Sequence, residues 1–346
     1  MIRPEHRLAI YLEQSLTGDY AKMGLGILRY AANPIVAVVD SDWAGHDAAE
    51  FSGVPRSVPV VASVDDARRL GADVLVLGTA PSGGRIPTEW LADLDRAVEL
   101  GMSLVNGLHD RLAPRYAGRP EGVFVWDIRV EPEGLGVGSG AAAGLPCKRI
   151  LMAGTDMAVG KMTTGLEMLK AARARGIRAE FVATGQIGIC ITGSGVPLDC
   201  IRVDYACSAV EQAVLRAAES EPDWIIVEGQ GALLHPGSTS TLPLLRGSCP
   251  THLVMCHRLG ATTLRRHARI GFPPLDAYIR LYEDLAEVCG TYPRPKTVGM
   301  GLNTTLIEND DEARAGATRL AAEAGVPAWD AVRWGADPMV DWVERA

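Results

Sequence analysis

One stretch constrains this chain more than any other. The apolar run Arg149-Ile150-Leu151-Met152-Ala153 leads directly into Gly154-Thr155-Asp156-Met157-Ala158-Val159-Gly160-Lys161-Met162-Thr163-Thr164, and a helical pattern continues to about residue 175. A strand, a glycine loop and a helix in that order make an anion cradle. Glycines allow a tight turn with inward N–H groups, and the helix N-terminus adds partial positive charge. Lys161 supplies a mobile ammonium. The pattern predicts that Gly154, Thr155, Asp156, Gly160, Lys161, Thr163 and Thr164 form a phosphate-binding loop. Two departures narrow its chemistry. Five residues separate the glycines instead of four, and Met162 stands where Ser or Thr normally holds magnesium. Thr163 or Thr164 would have to substitute, yet each step turns the helix by about 100°. Phosphate binding is therefore expected, magnesium-dependent nucleotide hydrolysis is disfavoured, and no metal ligand set is predicted.

The rest of the chain extends the alternation. Short apolar runs at 8–12, 34–39 and 72–78 are separated by helical patterns at 20–31, 64–70 and 88–100. Continuous apolar runs between helices indicate parallel strands buried on both faces. Residues 1–140 are read as a Rossmann-like domain. Further strands at 179–183, 224–227, 252–256 and 297–302 alternate with helices at 205–218, 274–288 and 309–324. Residues 141–346 are accordingly read as a second α/β domain of the P-loop NTPase-like kind. The glycine-rich stretch 134–144 has G-x-G-x-G spacing but no strand-to-helix context, so it reads as an interdomain connector.

Composition fits two domains. At roughly 150 residues per domain, 346 residues suggest two, and 47% hydrophobic residues are too many for a disordered chain. A net charge of −8 argues against a dedicated nucleic-acid binder. No apolar run is long enough to span a membrane, and residues 1–7 lack the apolar core of a signal peptide. Seven scattered cysteines without close pairs suit reduced thiols in a cytoplasmic protein.

Other polar residues gather at strand ends, the edge where open α/β sheets bind ligands. Glu228 follows Trp224-Ile225-Ile226-Val227 and opens Glu228-Gly229-Gln230-Gly231. Gln186 lies in Thr184-Gly185-Gln186-Ile187-Gly188, and His235 follows the Glu228 loop as a base or a substrate donor. Asn303 either contacts a ligand or caps a turn, and Asp204 either caps a helix near Tyr205 or serves the site. In the first half, Asp42, Gly83 and His109 sit in polar loops after three successive strands. Glu228 and His235 are the catalytic candidates. Asp42, Gly83, His109, Gln186, Gln230 and Asn303 are the substrate-binding candidates.

The long loop, with Glu228-Gly229-Gln230-Gly231, resembles the variant in dethiobiotin synthetase and related P-loop proteins. The ordered set Val39-Asp40-Ser41-Asp42, Ala80-Pro81-Ser82-Gly83-Gly84, Gly107-Leu108-His109-Asp110, the loop 154–164, Gly185-Gln186 and His235-Pro236 resembles a two-domain family that includes D-glutamate N-acetyltransferases. That resemblance implies acetyl transfer from acetyl-CoA, as co-substrate, to the amino group of D-glutamate or a similar amino acid; separately, a homo-oligomer is expected. The loop would hold a phosphate of coenzyme A without magnesium; substrate carboxylates would need cations or amide donors, with Arg246 and Arg258 as candidate cations. Two other readings stand beside it: an ATP- and magnesium-dependent ligase or kinase, and a nucleotide-binding sensor.

Overall fold

A computed structural model of the chain describes residues 2–18, 20–81 and 83–346. Met1 and the motif residue Ser82 therefore lie outside the described residues. Contacts divide the chain into two compact units, Met1–Val130 with Gln186–Pro197, and Glu131–Gly185 with Leu198–Ala346.

The first unit is built on six strands: β1 (Leu8–Tyr11), β2 (Ile35–Val39), β3 (Val60–Val61), β4 (Val74–Leu77), β5 (Ser103–Asn106) and β6 (Val125–Asp127). They pair in parallel in the order β3-β2-β1-β4-β5-β6. Four helices fall between them: α1 (Lys22–Tyr30), α2 (Ala49–Ser52), α3 (Val64–Arg69) and α4 (Leu91–Glu99). The apolar strands β1 and β4 are buried at every position, as a parallel sheet covered on both faces requires. Helix α4 turns Leu94, Ala97 and Val98 inward, the i, i+3, i+4 stripe of an amphipathic helix. Burying a leucine this way contributes about 2 kcal/mol. Glycine sets the approach of α1: a Cβ on Gly24 would lie 2.9 Å from Ile10 Cγ2, and one on Gly78 would lie 2.9 Å from Gly24 Cα.

The second unit follows the same plan. Its elements, in chain order, are β7 (Lys148–Gly154), α5 (Lys161–Ala174), β8 (Ala179–Val182), α7 (Val203–Ala218), β9 (Trp224–Val227), α8 (Thr241–Ser248) and β10 (His252–Arg258). The hairpin of β11 (Thr263–Leu264) and β12 (His267–Gly271) comes next, then α9 (Leu275–Glu287), β13 (Lys296–Asn303), α10 (Asp310–Ala324), β14 (Ala328–Trp329), α11 (Ala331–Trp334) and α12 (Asp337–Glu344). The intervening helix α6 (Gln186–Thr192) belongs to the first unit. The parallel sheet runs β14-β13-β10-β7-β9-β8. Thus β7 is central, and the loops after β7, β9, β10 and β13 leave one sheet edge.

Two local readings change. The glycine-rich stretch belongs to the second unit instead of bridging the two, because the buried Glu211 carboxylate of α7 accepts bonds from Ser139 N (2.8 Å) and Ala141 N (2.6 Å). Helix α7 starts at Val203 with Arg202 at its cap, so Asp204 sits in the first turn and does not cap it. Among the described residues, no helix is long and apolar enough to cross a membrane.

Candidate functional site

Helix α5 begins at Lys161 behind Gly160, whose φ of 102° suits glycine. No side chain caps this helix, so the N–H groups of its first turn, which lack partners within a helix, remain at the loop with the positive end of the dipole. Ala158 holds φ at 54°, a left-handed conformation costing a non-glycine residue about 1–2 kcal/mol, and such strain persists where its surroundings fix it. Lys161 is buried, and its Nζ donates to the Asp156 carbonyl at 2.7 Å. Arg258, at the end of β10, reaches the same loop and donates to the Ala158 carbonyl at 3.0 Å. Burial lowers the Arg258 pKa, the neighbouring Arg265 cation adds to that, and Asp156 opposes it.

The other loop residues divide by role. The Asp156 carboxylate accepts from Met157 N (2.6 Å) and from Arg265 N (2.8 Å), tying the loop to the β11–β12 hairpin. Thr155 is fully buried, and its hydroxyl shares a 2.8 Å hydrogen bond with His257 Nδ1. Burial pushes His257 down to about 4, so this ring is neutral. Thr164 is buried, and burial pushes the neighbouring Cys256 thiol up to about 11. Gly154, Gly160, Lys161 and the half-buried Thr163 remain as the loop's groups for an anion.

The loop after β9 packs on this one. A Cβ on Gly229 would lie 1.7 Å from the Met152 carbonyl and 3.0 Å from Lys161 Cδ, so only glycine fits. Two tyrosines of α9, absent from the sequence-based candidates, fasten it. The Tyr282 hydroxyl donates to the Gly154 carbonyl (3.2 Å) and accepts from Leu233 N (3.1 Å), and the Tyr278 hydroxyl accepts from Leu234 N (3.1 Å). Gly154, Lys161, Gln230, Gly231, Thr241 and Tyr282, among others, line a small recess here.

Glu228 is buried, and its Oε2 accepts from Thr184 N (2.9 Å) and Gly185 N (3.1 Å). Gln230 donates to the Thr184 carbonyl. Both residues therefore hold the turn after β8. His235 is half-buried, accepts from Gly237 N at Nδ1 (3.1 Å), and meets the His267 ring edge-on at 5.0 Å. With Nδ1 accepting, a neutral His235 carries its proton on Nε2 and presents a donor. Asn303 lies beside Gly160, and its Oδ1 accepts from Thr305 N (3.1 Å) and Thr305 Oγ1 (2.6 Å), which is the turn-capping role.

In the first unit, Gly83, Gly84 and His109 come together after β4 and β5: His109 N donates to the Gly84 carbonyl at 2.8 Å, and a Cβ on Gly84 would strike the His109 ring. Gln186 belongs to this unit and lies beside Gly107. Asp42 is exposed after β2, two strands from β4 and so about 10 Å along the sheet.

An uncapped glycine loop with a buried lysine at the end of a central parallel strand makes the second unit a P-loop domain, and the strand order of the first unit is Rossmann-like. The chain belongs to the DUF1611 family. Its C-terminal P-loop domain, described as a domain of unknown function, matches residues 136–340, and the family's N-terminal Rossmann-like domain matches residues 41–131. A D-glutamate N-acetyltransferase from Pseudoalteromonas sp is 38% identical over 283 residues, covering 80% of this chain and 83% of that protein. Another of that name, from Tritonibacter scottomollicae, is 36% identical over 289 residues, covering 81% and 83%. The crystal structure of a DUF1611 family protein from Anabaena variabilis is 47% identical, with a TM-score of 0.94 over 99% of this chain and 100% of that one.

Proposed function

We propose that this protein transfers the acetyl group of acetyl-CoA to the amino group of D-glutamate. The observation that carries the reading is kinship over four fifths of the chain with two proteins of that name. The phosphate loop supports it. Coenzyme A brings phosphoryl groups that need cationic and N–H partners but no hydrolysis, so Met162 costs the reaction nothing. In the transfer, the amine nitrogen attacks the thioester carbonyl carbon, a C–N bond forms, the C–S bond breaks, the thiolate leaves with the electron pair, and the proton shed by the nitrogen neutralises it. The ammonium must first lose a proton. If its pKa lies about two units above neutral, that costs about 3 kcal/mol. Glu228, engaged by two backbone N–H groups, suits a positioning role. His235, with Nε2–H as a donor, suits the oxyanion of the tetrahedral intermediate or a substrate carboxylate, where losing one donor costs about 100-fold or more in rate.

The test is thiol release from acetyl-CoA by the purified chain. Release that requires D-glutamate and is indifferent to ATP and to a chelator is the expected result. Release only with magnesium and ATP, or none with D-glutamate, would overturn the proposal.

A further inference from the structure

The chain carries 42 Asp and Glu in 346 residues, about one in eight, yet residues 229–275 contain none. The same segment holds five arginines (Arg246, Arg258, Arg265, Arg266 and Arg269) and four of the seven histidines. In a protein of net charge −8, this is a local inversion of sign. It is also placed. Four of those arginines fall on the end of β10 and on the β11–β12 hairpin, the two segments that touch the phosphate loop from the β10 side.

The hairpin is anchored through its backbone. Arg265 N is bonded to the Asp156 carboxylate, and the Asp156 carbonyl holds Lys161 Nζ. One residue therefore links the hairpin turn to the loop lysine. Because Asp156 spends both carboxylate oxygens on backbone N–H groups, it fixes the turn in place while neutralising only part of the charge around it. Arg266 and Arg269 are exposed, and among the described residues neither forms an ion pair. Along β12, alternate side chains share a face, so Arg269 lies on the face of His267, the ring that meets His235. Two exposed guanidinium groups, those of Arg266 and Arg269, thus stand beside an anion loop in a segment without a single carboxylate. Holding like charges together costs energy unless a polyanion joins them.

We infer that the β11–β12 hairpin is an anion-binding arm, and that it holds a second phosphoryl group of the same ligand whose first is held at Lys161. The ligand class is an adenosine nucleotide with a phosphate on the ribose in addition to its 5′-diphosphate. Guanidinium groups suit a terminal phosphate because they bond it bidentately. The naming of coenzyme A as that ligand rests on the proposed acetyl transfer; the arm itself rests on the hairpin's charge and its anchoring.

Calorimetric titration of the full chain tests it, with acetyl-CoA, 3′-dephospho-CoA and inorganic pyrophosphate as probes. The wild-type chain should bind acetyl-CoA at least tenfold more tightly than 3′-dephospho-CoA. R266Q/R269Q, which keeps the Arg265 backbone anchor, should weaken acetyl-CoA by about tenfold or more, equivalent to about 1.4 kcal/mol, and leave 3′-dephospho-CoA and pyrophosphate within twofold. R266K/R269K should retain most of the preference. Both residues are exposed, so an unchanged thermal midpoint confirms folding. Unchanged acetyl-CoA affinity in R266Q/R269Q, an equal loss for both nucleotides, or binding of no probe would overturn the inference. The two readings separate cleanly. D-glutamate-dependent thiol release with hairpin-independent affinity keeps the transferase and removes the arm. Hairpin-dependent preference for the 3′-phosphate without thiol release does the reverse.

Discussion

The two parallel sheets each send a central strand into a helix through a loop, and the two loops differ in where their donors go. In the first unit the loop after β1 is closed on itself. Asp40, fully buried at the end of β2, accepts from Ser15 N (3.2 Å), Leu16 N (2.9 Å) and Asp42 N (3.1 Å), and Gly24 N in the first turn of α1 donates to the Gly78 carbonyl at 2.7 Å. An acid at this strand end is what a dinucleotide-binding sheet uses on a ribose. Here its oxygens are consumed by the protein. Neither α1 nor α5 has a side-chain cap, but in the second unit the loop after β7 carries the buried Lys161 and is bonded by Arg258. Strand order alone thus says little about binding; the fate of the first-turn N–H groups separates a structural turn from an anion site.

The largest way to strain that contrast is Gly229→Ala. Its Cβ would occupy the Met152 carbonyl, so the strand end must move off β7. A loss of about 4 kcal/mol or more is expected in urea unfolding, beyond the usual range of point substitutions. Acid should act next. His252 and His257 are buried, and burial pushes both down to about 4. Each takes up a proton near pH 6.5 once unfolded. The unfolded chain therefore binds more protons between pH 6.5 and 4, and stability falls as the pH drops through that window. The slope should cost up to about 3 kcal/mol per histidine; urea midpoints at pH 7 and pH 5 measure it, and a flat response would contradict the burial argument. Asp40→Ala and Lys161→Ala then test the two loops against each other. Asp40→Ala leaves three donors without their acceptor and should cost about 2–3 kcal/mol of stability with acetyl-CoA affinity unchanged. Lys161→Ala should leave the urea midpoint within about 1 kcal/mol and weaken acetyl-CoA by about 100-fold, which is about 2.7 kcal/mol. Exchanged outcomes would break the comparison.

Much of the architecture was legible because buried parallel strands write continuous apolar runs, and both sheets contain several. The phosphate loop was legible because its glycines, lysine and flanking elements are contiguous. What stayed hidden was the destination of polar side chains. Thr155, Glu228, Gln230 and Asn303 sit at strand ends as ligand groups do, yet each bonds to nearby backbone or side chains, and sequence does not record which way a carboxamide turns. The hairpin and the two tyrosines of α9 were missed for a different reason: they reach the loop from far along the chain. The carboxylate-free run 229–275 was the available signal for the hairpin, and only a count of missing acids, not a motif, reveals it.

The smallest effect sharpens the contrast from the other side. Gly83, like Gly229, ends a strand-end loop, and its φ of 82° favours glycine, but a Cβ there would meet no atom within 4 Å. Alanine at this position pays only for the left-handed backbone, about 1 kcal/mol, and has no wall to strike. Gly83→Ala should therefore lower stability by about that amount, read from the urea midpoint, and leave the KM for D-glutamate within twofold. A rise of tenfold or more, with the same small loss of stability, would mean that substrate comes as close to this loop as the Met152 carbonyl comes to Gly229. The loop after β4 would then be a ligand surface kept clear by glycine, unlike the closed loop after β1 in the same unit.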